Sequence, residues 1–487
     1  MLSSPRQGLG VPEQPMSSPI SSPNATKGAP PSILTQRLNR GASRDRQIHH
    51  LGGYAFGPEL RIERFAMGNG LSILLVEDHA APTVAYHTWF RVGSRHESPG
   101  KTGIAHLFEH LMFNETEKLG AGAFDRELEE LGAESNASTW LDWTHYDIAV
   151  PSSAFERVAE LESERMQHLV LREPQVESEK EVVANERRYR VEDDVEGSVG
   201  EQLWATAFER HPYRWPTIGW MKDIESFTVE DCEKFYRTYY APNNATLVLV
   251  GDFDPERVLA KLQEVYGGYR SATIPDPPPD AEPEQTTERS LALTKLTPTW
   301  KLNLGYHSPA LGHQDHLPLS VLSEVLFGGR SSRLVKALVR DREMAGDVRG
   351  SLSPLRDPGL LEIFVSAREG FDADQLLSAV DEEIDRVLSD PISDDELERA
   401  KARIELGLLQ GLMTNEGKAS TIGFYEVVLG NPAAGFERLL GLNEIRPAQL
   451  RDLAVRYLSR GSRTVIRVAP QPGSAEVAAA EAVGDSE

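Results

Sequence analysis

The sequence repeats itself once, and the repeat sets the architecture. Phe227-Thr228-Val229-Glu230-Asp231, running through Tyr239 to Val250, matches Ile445-Arg446-Pro447-Ala448-Gln449, running through Tyr457 to Val468. The offset is constant: Tyr239 falls on Tyr457, Thr246 on Thr464, Val248 on Ile466 and Val250 on Val468. Each copy reads as a helix followed by an apolar strand. Between the copies, residues 271–292 carry Pro275, Pro277, Pro278, Pro279 and Pro283 and four acidic residues between Asp276 and Glu284. Such a composition makes an extended linker between domains. A repeat interrupted by a linker implies duplication, so two similar halves are expected, 55–270 and 293–470. Residues 1–54, rich in Ser, Pro, Gly and Gln, read as a disordered extension, and 471–487 as a flexible tail.

Within each half, strand and helix signals alternate. Asn69-Gly70 marks a turn before the strand Leu71–Val76, and Thr83–Val92 and Ala133–Val150 carry further strand signals. Ala154–Leu171 and the segment from Pro174 to Tyr189 read as helices. The expected class is α+β, with helices packed on sheets.

The chemistry concentrates in Gly103-Ile104-Ala105-His106-Leu107-Phe108-Glu109-His110-Leu111-Met112. Ile104, Leu107, Phe108, Leu111 and Met112 recur at helical spacing and define one buried face. His106 and His110 lie one turn apart on the other side, with Glu109 beside them. Two imidazoles at i and i+4 can hold zinc, and a neighbouring carboxylate can reach a water on it. The order H-x-x-E-H is the inverzincin signature. A solvated helix face decorated by the same residues is the plain alternative, and five residues alone do not decide between them.

Two histidines hold zinc weakly, so a third protein ligand is needed. The single cysteine, Cys232, rules out a cysteine site, which leaves histidine and carboxylate. The helix after Pro174 offers Glu177, Glu179, Glu181 and Glu186. Glu179 and Glu186 are two turns apart on one face, with Val182 and Val183 beside them to pack inward. Spacing does not choose between them. Net charge is −24, which disfavours nucleic acid and attracts cationic partners. No apolar run approaches the roughly 18 residues of a membrane span, and no secretory signal core is present, so a cytoplasmic location is expected.

These motifs, taken together, resemble the pitrilysin and mitochondrial-processing-peptidase family of inverzincin metallopeptidases, in its smaller, processing-peptidase-like branch. The matching residues are His106-Leu107-Phe108-Glu109-His110 and, downstream, Ala184-Asn185-Glu186-Arg187-Arg188. Gly93-Ser94-Arg95-His96-Glu97, Asn114-Glu115-Thr116, Asn136-Ala137-Ser138-Thr139, Thr144-His145-Tyr146 and Gly328-Gly329-Arg330-Ser331-Ser332 also match. The resemblance covers about 55–470. It implies a clam-shell of two homologous halves, each a mainly antiparallel sheet with helices, enclosing extended or unfolded peptides. It implies one zinc per chain, held by His106, His110 and Glu186, with Glu109 as the base for the attacking water. Glu179 corresponds to an auxiliary carboxylate, and Asn136 and Ala137 to the edge strand that pairs with substrate backbone.

Active relatives also place an Arg and a Tyr from the second half near the scissile bond. Here Arg340 remains, but the Tyr position falls at Gly346, or Asp347 if the gap differs. A full metal set beside a missing Tyr suggests the zinc-bearing subunit of a heterodimer, with a homologous partner supplying the Arg/Tyr pair; a homodimer is the other form. Some relatives are scaffold subunits, but those lose ligands or the base, and none is lost here. Periplasmic relatives exist as well.

Overall fold

A computed structural model, describing residues 31–275 and 282–472, folds the chain around two mixed sheets. The first sheet is built from β1 (Ile48–Phe56), β2 (Leu60–Met67), β3 (Ser72–Glu77), β4 (Thr83–Phe90), β5 (Glu134–Thr139), β6 (Thr144–Pro151) and β7 (Ala245–Gly251). The second is built from β8 (Arg289–Lys295), β9 (Lys301–His307), β10 (Ala345–Leu352), β11 (Leu360–Ala367) and β12 (Arg463–Pro470). Their orders are β1-β2-β3-β7-β4-β6-β5 and β10-β11-β9-β12-β8. Once β1 and β2 are set aside, the two orders are the same, and each sheet has one parallel pair, β3/β7 and β8/β12.

The helices repeat the pattern. In the first half they are α1 (Pro31–Leu38), α2 (Ile104–Leu111), α3 (Ala123–Glu130), α4 (Phe155–His168), α5 (Glu173–Arg187), α6 (Val195–Ala207), α7 (Met221–Glu225), α8 (Val229–Tyr239) and α9 (Pro255–Tyr266). The second half contributes α10 (His316–Phe327), α11 (Ala373–Ser389), α12 (Asp394–Gly411), α13 (Asn415–Leu429), α14 (Ala434–Leu442) and α15 (Pro447–Tyr457). A shift of 218 residues (457 − 239) carries α8 onto α15 and β7 onto the start of β12. It also brings α4, α5 and α6 onto the regions of α11, α12 and α13.

One exchange ties the halves together. Helix α6, from the first half, packs on β8, β9 and β12 of the second sheet, while α13, from the second half, packs on β4 and β7 of the first. Ile422 and Val427 of α13 thus share a core with Ile62, Leu74, Trp89 and Val248. Val199 and Leu203 of α6 share another with Ile466 and Val468. Gly423 sits where any Cβ would run into the Trp89 indole, at 2.1 Å from its Nε1. Polar links reinforce the exchange: Arg64 pairs with the fully buried Glu426 at 2.6 Å, and Lys418 with Asp78 at 2.6 Å.

Three expectations need correction. The extension does not run to residue 54: Pro31–Leu38 is helical and Ile48–Phe56 is an edge strand. Leu34, Ile48 and Phe56 anchor this stretch in the core, and the Asn39 side chain exchanges two hydrogen bonds with the Ile48 backbone. Its alternation is broken by a bulge between His50 and Gly52, where Gly52 takes φ 121°, so the sequence shows no clean period. At the other boundary, β8 begins at Arg289, inside the expected linker. Of Val182 and Val183, only Val183 packs inward; Val182 is 45% exposed, because adjacent helix residues point about 100° apart. Residues 1–30, 276–281 and 473–487 lie outside the described residues.

Candidate metal centre

Helix α2 is held from both ends of its first turn. Gly103 takes φ 91°, with backbone of Ile218 and Gly219 packed where a Cβ would stand. The Glu97 carboxylate accepts from the Gly103 N–H at 2.8 Å and from the Ala105 N–H at 2.9 Å, satisfying two donors that a helix start leaves open. Burial pushes the Glu97 carboxyl up to about 8 against those two hydrogen bonds. Ile104, Leu107, Phe108, Leu111 and Met112 are all buried, as their spacing predicts. The opposite face presents His106, Glu109 and His110 towards α5, which packs against α2.

His106 Nε2 lies 3.6 Å and His110 Nε2 3.4 Å from the same Glu186 Oε2. These three residues form a set whose donor atoms all lie within 4.8 Å of one another. Tetrahedral zinc with bonds of about 2.0–2.1 Å separates neighbouring donors by about 3.4 Å. The spacing fits zinc. So does the bonding, since Glu186 Oε2, which faces both Nε2 atoms, is buried and makes no hydrogen bond.

Geometry separates the two glutamates that spacing left equivalent. Glu186 faces both Nε2 atoms, whereas Glu179 Oε2 lies 3.6 Å from His110 Nδ1, on the far side of that ring. Asn114 Nδ2 donates to Glu179 at 3.1 Å, and Arg190 Nε lies 3.1 Å from Glu186 Oε1. Burial holds the His106 imidazole well below its ordinary value, which favours the neutral, ligating form. Burial also lowers His110, but the carboxylates of Glu179 and Glu186 outweigh it and lift the ring to about 9. Just beyond Glu186 the helix widens into a π-turn, Arg188–Glu192, which brings Arg190 round.

Glu109 Oε2 is buried without a hydrogen-bond partner. Burial raises its carboxyl above the usual range, opposed by Thr139 and His110 beside it. Thr139 ends β5, the last strand of its sheet, so the outer edge of β5 is unpaired, and Asn136 and Ala137 lie on it. Arg340, in a π-helical segment Val335–Asp341, is exposed and makes no ion pair or hydrogen bond among the described residues. Gly346, on the edge strand β10, has nothing within 4 Å of a Cβ position.

Sequence reasoning missed the capping role of Glu97, the Thr139 contact and the Arg190 pair. The last was available from its i, i+4 spacing to Glu186; Glu97 lies only six and eight residues before the N–H groups it caps, but across an irregular loop, and Thr139 is distant along the chain.

Among the described residues no helix is long and apolar enough to cross a membrane. Residues 72–219 match the family model described as Insulinase (Peptidase family M16), and 226–404 match the Peptidase M16 inactive domain. The zinc protease PqqE of Helicobacter pylori is 31% identical over 371 residues, covering 75% of this chain and 83% of that protein. The crystal structure of a protease from Helicobacter pylori superposes with a TM-score of 0.81 at 29% identity, covering 84% of this chain and 99% of the other. The periplasmic protease PqqL from Escherichia coli matches with a TM-score of 0.71 at 18% identity, over 87% of this chain but only 49% of PqqL. A duplicated α+β fold, an H-x-x-E-H helix whose histidines face one glutamate, and a zinc protease similar over most of its length agree: the chain belongs to peptidase family M16.

Proposed function

We propose that this chain is a zinc metalloendopeptidase that hydrolyses extended or unfolded peptides. The observation that carries the reading is Glu109, a buried carboxylate with a free oxygen, placed beside the three-residue donor set. His106, His110 and Glu186 hold one zinc ion, and Glu179 orients His110 through Nδ1. Bound zinc supplies a Lewis acid that polarises the scissile carbonyl and acidifies water. Glu109 takes a proton from the attacking water and delivers it to the leaving amine. The free edge of β5 at Asn136 and Ala137 pairs with the peptide backbone, a mode that demands extended substrate and little sequence identity.

A homologous second chain supplies the Arg/Tyr pair. The support is the unpaired Arg340, the missing side chain at Gly346, and a matching structure about half of whose chain this one spans. The test is cleavage of a quenched peptide library by the purified chain with stoichiometric zinc, alone and with a related partner. Cleavage by the chain alone sinks the partner requirement. Silence in both, with zinc shown to be bound, sinks the peptidase reading.

A further inference from the structure

On the side of β5 away from α2, the two halves leave a cavity of about 380 Å³. Its first-half wall is Trp89, Trp143, His145 and Asp147, and Phe424 and Tyr425 of α13 face them. The cavity reaches the sheet edge through Ser138. In register, Ser138 lies opposite His145 and His145 opposite Trp89, so the three form one row across the sheet. The His145 and Trp89 rings stack in that row, 4.0 Å apart. The neighbouring row runs Asn136, Asp147, His87. A peptide strand added outside β5 would lie about 4.8 Å from it and extend both rows. At Ser138 the row has almost no bulk, so a long side chain from that strand passes over it onto the rings.

The charge of the cavity is one-sided. Among the described residues no lysine or arginine lies within ion-pair distance of Asp147; His145 Nδ1 lies 3.7 Å away, and burial, then His87, hold that imidazole well below its ordinary value. Burial, and then the Glu416 carboxylate beyond the cavity wall, raise Asp147 to about 6 against the pull of Arg165. Lys418, two residues on, is taken by Asp78. Aromatic faces around a carboxylate that pairs directly with no lysine or arginine suit a cation on an apolar stem.

We propose that this cavity is a specificity pocket that receives an arginine or lysine side chain of the peptide lying on β5. Its stem runs over Ser138 between Trp143 and Phe424, and its charged head pairs with Asp147. The proposal rests on the peptidase reading and names its preferred substrates: peptides carrying a basic residue at one fixed place relative to the cleaved bond.

The test uses one peptide scaffold with arginine, its neutral isostere citrulline, leucine or alanine at each position in turn. Two readouts are taken: kcat/KM with the zinc-loaded full chain, with its partner if needed, and fluorescence-anisotropy binding to the Glu109→Gln variant. The expected result is a single position where arginine exceeds citrulline by about tenfold in both readouts. Asp147→Asn should erase that preference while leaving the citrulline and leucine peptides unchanged. Glu416→Gln, at a partly exposed site, should weaken it less and guards against a folding defect in the first variant. Cleavage with no arginine preference at any position, or with a leucine preference indifferent to Asp147→Asn, overturns the pocket and leaves the peptidase standing. Arginine-dependent binding without cleavage supports the pocket and overturns the peptidase.

Discussion

The two halves share a topology but not a chemistry, and the difference shows what the metal centre demands of its surroundings. Helix α2 lies between β4 and β5, and α10 lies between the corresponding β9 and β10. Where α2 has His106, Glu109 and His110, α10 offers Ser320, Ser323 and Glu324. The two serines bond back to the carbonyls of Leu317 and Leu319, and Glu324 pairs outward with Arg403. Helix α5 presents Glu179 and Glu186; at the 218-residue shift α12 presents Leu397, buried, and Ile404, packed on the second core. The second half fills with aliphatic carbon the volume that the first leaves to carboxylates. The first therefore keeps buried polar atoms without partners at Glu109 and Glu186, each of which opposes folding until a ligand engages it.

The sharpest way to break the comparison is to remove the base. Glu109→Gln should keep zinc in metal analysis and lower kcat by about 10²–10⁴; normal turnover would return Glu109 to the status of a helix-surface residue. His110→Ala or Glu186→Gln should abolish stoichiometric zinc, and chelation of the native chain should do the same to activity, reversed by added zinc. Glu179→Gln should act more mildly, weakening zinc affinity or activity by about 10–100-fold. An effect as large as that of Glu186→Gln would make it a direct ligand. Glu97→Ala should destabilise the chain by about 1–3 kcal/mol in urea unfolding, through the two N–H groups it leaves unpaired; the second half, whose α10 has no such cap, makes this a test of what α2 in particular needs.

The smallest effect concerns Glu362 on β11, which burial raises to about 7 although the Trp204 indole of α6 donates to it at 3.0 Å. The folded chain then holds a proton that the unfolded chain, near its ordinary carboxylate value, releases at lower pH. Stability linked to this group is greatest below the unfolded value and falls as pH rises towards 7. Glu362→Gln should raise Tm by a few degrees at pH 8 and little at pH 5. Equal shifts at both pH values would place its effect in packing instead.

Much of this was legible. The constant offset between Tyr239 and Tyr457 exposed the duplication because both copies keep a helix and an apolar strand in unbroken register. The metal helix was legible because five apolar residues and two histidines obey one period. Val182 misled because an aliphatic beside a charged residue need not face the same way. The N-terminal strand was hidden by His49-His50 and Gly52-Gly53, which interrupt alternation while the backbone still pairs. Spacing could not separate Glu186 from Glu179, and only the family resemblance did; in three dimensions Glu186 approaches Nε2 of both histidines, whereas Glu179 approaches Nδ1 of His110 alone. The helix exchange left no local trace at all.

That exchange has a consequence for the birth of the protein. The apolar face of the first sheet, with Ile62, Leu74, Trp89 and Val248, is covered by a helix that begins at Asn415, whereas the last strand of that sheet ends at Gly251. The interval is 164 residues (415 − 251), which a ribosome adding about 5–20 residues per second crosses on the order of 10 s. Throughout that interval the half that carries the candidate donor set has a sticky, unfinished surface. Its cover comes from its own duplicate, so the first half depends on the second until synthesis is nearly done.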